Sequence, residues 1–274
     1  MKLSRRQFIA SLGAMGLTGC ARIKKPLEKL TPDFVFDGKE PISFAAINDP
    51  HLLDARSTAV LNRAVVMINE LPEVRFTALL GDAATSGRLP ELLLAKTCLD
   101  KLDKPWLAVP GNHDVEGRAV DPYGNYDQAL GARQWVREEG GWVFIGIDTC
   151  NGTASDVTLP PDRMEWIRER LDHVGKAKPI ALLSHHPFNP NTKAYRVKNA
   201  DEALGLFAEH RLRLVASGHY HGNQVEEVNG ILFVTTACCA LTRDNFDETK
   251  EKGFRVFRLD GDSVSHEFMV AAGA

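Results

Sequence analysis

The stretch "ISFAAINDPH", residues 42–51, places an acid and an imidazole directly after a mostly apolar run. Residues 42–47 have the length and composition of a strand that is buried on both faces. Pro50 ends this run and indicates a turn, with Asp49 and His51 on either side of it. One polar turn after a buried strand has no functional meaning by itself. Its significance therefore depends on whether the other strands of the chain also end in such residues.

Five further apolar runs are typical of buried strands. They are residues 76–80, 106–109, 143–147, 180–183 and 212–217. Between several of them, apolar positions recur at helical spacing, most clearly in residues 58–71 and in Pro161–Leu171. The pairs Asn229-Gly230 and Asp260-Gly261 each separate two strand-like runs and predict hairpins. Strands that alternate with helices indicate an α/β fold, which we assign as one domain over residues 41–274.

Metal-capable side chains come after five of the six predicted strands. They are Asp49 and His51, then Asp82, then Asn112 with His113 and Asp114, then His185 and His186, and finally His219 with His221. Because ligands of open α/β sheets bind at the carboxyl ends of strands, we expect these groups to converge. Glycine precedes three of the sets, at Gly81, Gly111 and Gly218, and we expect it to permit sharp backbone turns. Carboxylate, imidazole and amide groups together suit Mn, Fe or Zn ions, and there are enough of them for two ions.

The five motifs DPH, GD, GNHD, HHP and GHYH, in this order, resemble the signature of calcineurin-like metallophosphoesterases. The segments "GWVFIGIDT" and "KGFRVFRL" are similar to those of exported bacterial members and of class III cyclic nucleotide phosphodiesterases. The resemblance covers roughly residues 42–270. It implies a four-layer α/β/β/α sandwich of two mixed sheets flanked by helices. It also implies a metal-dependent phosphoric ester hydrolase.

The resemblance also assigns roles to individual residues. It implies that Asp49, His51 and His221 hold one metal ion, that Asn112, His185 and His219 hold the other, and that Asp82 bridges the two. His113 matches the family's catalytic histidine, and we group Asp114 with it as a catalytic residue. His186 occupies a variable position of its motif and is left outside the ligand set. The implied reaction is attack on phosphorus by metal-activated hydroxide, with His113 assisting the leaving group.

The second motif departs from the pattern of many relatives. Thr85 stands where they carry an acid or amide that orients the catalytic histidine, and Ser86 stands where they carry an arginine. The first change leaves open what orients His113, with Asp114 as one candidate. The missing arginine and the likeness to cyclic nucleotide phosphodiesterases favour phosphodiesters as substrates. A phosphomonoesterase or nucleotidase is the alternative enzyme, and a non-catalytic metal-binding lipoprotein is the alternative from another class.

Three segments near the motifs are candidates for substrate recognition. They are residues 116–135, 189–200 and 240–246. Within them, the side chains that could meet an anionic substrate are Lys193, Tyr195, Arg196, Lys198 and Arg243. Each segment is equally consistent with a solvated loop.

The first twenty residues, "MKLSRRQFIASLGAMGLTGC", have a basic start, a short apolar middle and a cysteine at the end. The apolar part is too short for a stable bilayer anchor. "SRRQFI" resembles a twin-arginine signal and "LTGC" resembles a lipobox. The sequence thus predicts a signal peptide over residues 1–19 and a tether over residues 20–40. We expect export, with a lipid on Cys20 that holds the protein at the outer face of the cytoplasmic membrane, in the periplasm or at the outer membrane.

Net charge and cysteine usage argue against two further classes, nucleic-acid-binding proteins and proteins with cysteine-bound zinc. The chain has a net charge of −3. Removing residues 1–19 takes away three basic and no acidic residues, so the net charge becomes −6. A net acidic surface without a basic patch argues against a nucleic-acid partner. No CxxC pair exists, so we expect the cysteines after Cys20 to be mostly buried thiols rather than zinc ligands.

Overall fold

The computed structural model describes residues 41–192 and 195–272. The predicted signal peptide and tether lie outside the described residues. Within them the chain forms two mixed β-sheets and five α-helices. Among these same residues, no helix combines the length and the apolar character that crossing a bilayer requires.

The first sheet has five strands. Their order across the sheet is β11 (Ser263–Ala272), β10 (Lys252–Asp260), β1 (Ile42–Ile47), β2 (Val74–Leu80) and β3 (Trp106–Val109). Strands β1, β2 and β3 run parallel, whereas β10 is antiparallel to β1 and to β11. Every residue of β1 is buried, which explains its continuous apolar character.

The second sheet has six strands. Their order is β4 (Trp135–Glu139), β5 (Trp142–Ile147), β6 (Pro179–Ser184), β7 (Arg211–Ser217), β9 (Ile231–Thr235) and β8 (Val225–Val228). The four central strands run parallel and the two edge strands are antiparallel to their neighbours. Each sheet therefore contains a set of adjacent parallel strands that end at the same edge.

Helices cover the outer face of each sheet. The helices are α1 (Ala59–Asn69), α2 (Leu89–Leu99), α3 (Gly124–Ala129), α4 (Pro161–Leu171) and α5 (Ala200–Gly205). The first three pack on the first sheet, and α4 and α5 pack on the second. In β1 the side chains alternate, so that Ala45 and Ile47 face the helices while Phe44 and Ala46 face the other sheet. These layers confirm the predicted α/β/β/α sandwich.

An aromatic cluster joins the two sheets. The Phe44 ring stacks on Phe76 with centroids 5.2 Å apart and on Phe257 with centroids 4.9 Å apart. Phe144, from the second sheet, meets Phe44 edge to face at 5.2 Å. Such pairs add about 0.5–1.5 kcal/mol each beyond the burial of their area. The cluster therefore holds the sheets in one fixed relation, and this relation positions the strand ends.

The predicted elements compare closely with the structure. All six predicted strands and both hairpins are present, and the helix at Pro161–Leu171 has the predicted ends. The helix predicted over residues 58–71 is shorter at both ends. Helices α2, α3 and α5 and strand β4 were not predicted. In α2 the apolar residues surround the helix rather than form one stripe, and α3 and α5 have only six residues each.

The cysteines of the described region are as predicted. Cys98, Cys150, Cys238 and Cys239 are all buried and carry free thiols. The adjacent pair comes after strand β9. None of these thiols belongs to the groups of side chains that could hold a metal ion within the described region.

Candidate metal centre

The predicted ligands converge at the carboxyl ends of five strands, three in the first sheet and two in the second. Ligand atoms of Asp49, His51, Asp82 and His221 all lie within 4.8 Å of one another. Ligand atoms of His185, His186 and His219 form a second group with the same spacing. Both groups are buried. Residues that are distant in the sequence therefore form two adjoining clusters of metal-capable side chains.

Asp82 lies between the two clusters. Its Oδ2 is 3.4 Å from His51 Nε2, and its Oδ1 is 3.5 Å from His185 Nε2. The same His185 nitrogen is 3.2 Å from Asn112 Oδ1, which brings the amide into the second cluster. The two carboxylate oxygens of Asp82 thus face different halves of the site, which is the arrangement that a bridging ligand needs.

Backbone carbonyls hold the outer nitrogens of three histidines. His185 Nδ1 donates to the carbonyl oxygen of Leu80 at 2.9 Å, and His219 Nε2 donates to that of Ser155 at 3.1 Å. His221 Nδ1 is 3.2 Å from the carbonyl oxygen of Asp244. Because the outer nitrogen is the donor, the inner nitrogen of each ring faces the site and can coordinate a cation once it carries no proton. Histidines that bind metals are oriented in this way.

The charges of the site also fit cations. Burial, together with the neighbouring Asp49 carboxylate, raises the pKa of Asp82 to about 7. Burial lowers the pKa of His51 to about 2, so this ring is neutral. Burial lowers the pKa of His221 as well, but the charge of Asp49 outweighs it and raises that pKa to about 11. Without a cation, this half of the site therefore holds a proton on His221 and a buried Asp82 carboxyl that resists ionisation, and a cation would replace the proton and satisfy the converging acceptors.

The backbone at the ligands adopts an uncommon conformation. Five of the predicted ligands have positive φ angles, namely Asp49, His51, Asp82, His219 and His221, with values from 47° to 65°. Residues other than glycine rarely occupy this region, and such strain concentrates at functional sites. Hydrogen bonds between the first two loops hold the conformation, because Asp49 N donates to Gly81 O and His51 N donates to Asp82 O.

Two of the three glycines act in a different way from the one predicted. Only Gly81 has a positive φ, at 85°. At Gly111 a Cβ atom would lie 2.1 Å from Asp82 Oδ1, and at Gly218 it would lie 2.8 Å from Asp49 Oδ2. Gly111 and Gly218 therefore allow a close approach of the backbone to the two carboxylates rather than a special turn.

Thr85 orients His113 through its backbone. His113 Nδ1 lies 2.8 Å from the carbonyl oxygen of Thr85, so the ring presents Nε2 to the site. The backbone N–H of His113 donates to Asp82 Oδ1 at 2.8 Å. The Thr85 hydroxyl donates to the carbonyl oxygen of His51. The backbone carbonyl of Thr85 therefore orients the His113 ring, a role for which the sequence offers no acidic side chain at position 85.

Asp114, which is grouped with His113 as a catalytic residue from the sequence, holds loop backbone in the structure. Asp114 is fully buried. One of its oxygens accepts from Gly111 N at 2.9 Å, and the other accepts from Ala84 N at 2.8 Å. The carboxylate therefore joins the second and third motif loops, and it does not face the cleft.

His186 lies inside the second cluster, although the predicted ligand set omits it. Its Nδ1 is 2.8 Å from Thr149 Oγ1. Its Nε2 has no hydrogen-bond partner among the residues that the structure describes. The ring centroid is 4.4 Å from that of His219. The sequence alone does not show whether the second histidine of an HHP motif is a metal ligand or a core residue.

Two adjoining cavities open at the metal centre. The first, which we call the aromatic cleft, has a volume of about 330 Å³ and is lined by Tyr195, Arg243 and Phe246 beside the ligands. The second, which we call the polar cleft, has a volume of about 770 Å³ and includes Arg88 and Arg118 in its lining. His113 and Ser155 line both cavities. The reactive centre therefore lies where two binding spaces meet.

The recognition candidates separate into two groups. Tyr195 and Arg243 line the aromatic cleft. Arg196 is instead 2.5 Å from Asp201, and Lys198 is 3.6 Å from Asp156, so their charges are engaged at the surface. Lys193 lies outside the described residues. Of residues 116–135, only the first few line the polar cleft. Phe246 was missed, because one aromatic residue in a polar loop has no pattern that marks it.

Comparison with known proteins agrees with this site. Residues 42–223 match the family model described as calcineurin-like phosphoesterase. A protein of Synechococcus named "probable cyclic nucleotide phosphodiesterase" is 28% identical over 246 residues, which cover 85% of this chain and 93% of the relative. A protein of Arcobacter nitrofigilis named "probable glycerophosphodiester phosphodiesterase" is 25% identical, over 65% of this chain and 68% of the relative.

Solved structures share the fold at low sequence identity. A purple acid phosphatase from yellow lupin superposes with a TM-score of 0.64 at 13% identity, covering 85% of this chain and 52% of the lupin enzyme. The GAP50 anchor of the inner membrane complex of Plasmodium superposes with a TM-score of 0.63 at 15% identity, covering 85% of each chain. The chain belongs to the calcineurin-like phosphoesterase family. It is a metal-dependent phosphoric ester hydrolase whose Asp and His residues form a metal site.

We expect Asp82→Asn to lose metal ions and activity together. The amide keeps the size of the side chain and one acceptor oxygen, but it removes the charge that faces both clusters. Elemental analysis of the purified variant should show fewer than two ions per chain, and hydrolysis of bis(p-nitrophenyl) phosphate should fall by several orders of magnitude. The matched control is Asp172→Asn, on the surface after α4, which should retain both. Two bound ions with normal turnover in the Asp82 variant would contradict the bridging role.

Proposed function

We propose that this hydrolase acts on phosphodiesters. The observation that carries the proposal is the position of His113 and the metal ligands at the junction of two cavities. A phosphodiester has two substituents on phosphorus, and each cavity can take one of them. A phosphomonoester would leave one cavity filled with water. The names of the two relatives, both phosphodiesterases, support the same choice.

The residues present fit two metal ions, for which Mn, Fe or Zn are the candidates. Asp49, His51 and His221 would hold one, Asn112, His185 and His219 the other, with Asp82 between them. When bound, such ions supply Lewis acidity toward the phosphoryl oxygens and an activated water. The identity of the ions is part of the proposal, since carboxylate and imidazole ligands accept several of them.

We assign to His113 the transfer of a proton to the leaving oxygen. Its Nδ1 is held by the carbonyl of Thr85, so Nε2 is the atom that reaches the substrate. The ring centroid lies 4.8 Å from that of His51, at the edge of the cluster rather than within it. General acid catalysis of this kind contributes roughly 10²–10⁴-fold to the rate. The Thr85 carbonyl and the Asp82 contact to the His113 backbone keep the ring in this position.

We propose further that the protein is exported and lipid-anchored. The support lies in residues 1–20, where twin arginines, a short apolar stretch and Cys20 occur in the order that a twin-arginine lipoprotein signal requires. A protein that folds around its metal ions before export would keep ions selected in the cytoplasm.

Substrate preference tests the phosphodiesterase proposal directly. The protein loaded with Mn²⁺ should hydrolyse bis(p-nitrophenyl) phosphate with a higher kcat/KM than p-nitrophenyl phosphate, because both cavities are then occupied. The two substrates release the same product, so one absorbance assay compares them. A higher kcat/KM for the monoester would replace this proposal with a phosphomonoesterase. No hydrolysis of either ester by protein containing both ions would favour a metal-binding lipoprotein.

His113→Ala should retain its metal ions and lose turnover. We expect kcat for bis(p-nitrophenyl) phosphate to fall roughly 10²-fold, and to fall further for a diester with a poorer leaving group, since that oxygen needs the proton more. Metal analysis alongside the kinetics separates this role from coordination. An equal loss for good and poor leaving groups would show that His113 does not donate the proton.

Cell fractionation tests export. The double change Arg5→Lys and Arg6→Lys should keep the protein in the cytoplasm, because the twin-arginine pathway requires both residues of its signal pair. The change Cys20→Ser should release it from the membrane fraction while export itself continues. Membrane association that survives both changes would refute the lipid anchor.

A further inference from the structure

The aromatic cleft has a wall that the metal centre does not use. The Phe246 ring stacks on His221, with centroids 5.3 Å apart and planes 11° apart. The Tyr195 ring meets His219 edge to face at 4.9 Å and lies 6.2 Å from Phe246. The two rings form one aromatic wall that touches a ligand of each predicted metal ion. Both rings line the cleft.

The exposure of Phe246 is not by itself evidence of a binding surface. Its side chain is 54% exposed, and single exposed apolar residues are ordinary. The loop that carries it is firmly held, however. Buried Asn245 donates through Nδ2 to Glu251 O at 2.8 Å and to Thr249 Oγ1 at 3.0 Å, and Phe246 N donates to His221 O at 2.9 Å. A rigidly placed exposed ring is a preorganised binding surface.

Arg243 brings a positive charge to the same loop. Lys252 Nζ donates to the Arg243 carbonyl oxygen at 2.5 Å, which fixes the backbone at this residue. Within residues 41–192 and 195–272, the Arg243 guanidinium makes no hydrogen bond or ion pair, and it lines the cleft beside His51 and His221. A guanidinium without a carboxylate partner next to metal ligands suits the oxygens of a phosphate group.

The backbone of Tyr195 is a further sign of a functional position. Its φ is 63°, a value that bulky residues seldom adopt. This conformation accompanies the placement of the ring against His219. Strain of this kind persists where the surrounding structure requires a side chain in one place.

We propose that Phe246 and Tyr195 form a subsite that stacks a flat aromatic substituent of the phosphate ester, such as a nucleobase, while Arg243 binds the phosphate group. The inference rests on the proposed function and extends it to a substrate class. Every nucleobase has a π face, so stacking tolerates different bases and contributes about 1–3 kcal/mol. The competing explanation is that Phe246 only covers His221 and keeps it in place.

Calorimetry with two ligands that differ only in the base tests the subsite. The full-length chain loaded with Mn²⁺ is titrated with AMP and with ribose 5-phosphate. Wild-type protein should bind AMP at least tenfold more tightly, which corresponds to about 1.4 kcal/mol. Phe246→Leu, which keeps an apolar side chain but removes the π face, should reduce this preference by roughly tenfold. Tyr195→Leu should reduce it in the same direction.

Two further variants complete the design. Arg243→Met should weaken both ligands by similar factors, because both carry the phosphate group, and should leave the preference for AMP in place. Leu241→Ala is the matched control: this exposed residue precedes the same loop but does not line the cleft. It should change neither affinity. Metal content is measured for every variant, so that a loss of ions is not read as a loss of stacking.

The outcomes separate the subsite from the proposed function. Equal affinity of the wild-type protein for AMP and ribose 5-phosphate would overturn the subsite. The subsite would also be overturned if Phe246→Leu retained its metal ions and weakened the binding of both ligands equally. Hydrolysis of bis(p-nitrophenyl) phosphate is measured on the same preparations. Diester hydrolysis without an AMP preference rejects only the subsite. Tighter binding of AMP than of ribose 5-phosphate, without hydrolysis of the diester, would reject only the proposed phosphodiesterase activity.

Discussion

Two carboxylates, Asp49 and Asp82, are buried side by side among histidine rings, and the rest of the site depends on neutralising them. Buried anions are costly unless opposite charge and hydrogen bonds compensate. The burial of Asp82 beside Asp49 raises its pKa to about 7, which shows how strongly the protein alone disfavours a second negative charge here. Cations remove that conflict. The electrostatics of the interior therefore favour a metal site at these carboxylates.

The sandwich supplies the rigidity that this charge arrangement needs. Asp49 and Asp82 come after strands of the first sheet, and His185 and His219 come after strands of the second, so the clusters exist only while the sheets keep one relation. The buried aromatic cluster around Phe44 maintains it. A well-packed core of this kind also stabilises the left-handed backbone of the ligands, which isolated loops would not retain.

The predicted catalytic groups and the proposed recognition groups lie on different parts of the scaffold. The predicted ligands and His113 lie at strand ends, where the backbone is fixed by the sheets. Tyr195 lies on the loop after β6, and Phe246 and Arg243 lie on the loop between β9 and β10, which has hydrogen bonds of its own. Loops placed in this way can change substrate preference while the metal centre stays constant.

The sequence by itself determined all of the strands except β4, the layer order implied by the family motifs, and which residue types gather at the strand ends, because apolar runs and short motifs are local signals. Only the tertiary structure decided how those groups are used. The Thr85 carbonyl orients His113, Asp114 turns inward, Gly111 makes room for a carboxylate, and Phe246 reaches the cleft. Backbone acceptors and contacts between distant loops leave no mark in the order of side chains, so these roles could be read only from the folded chain.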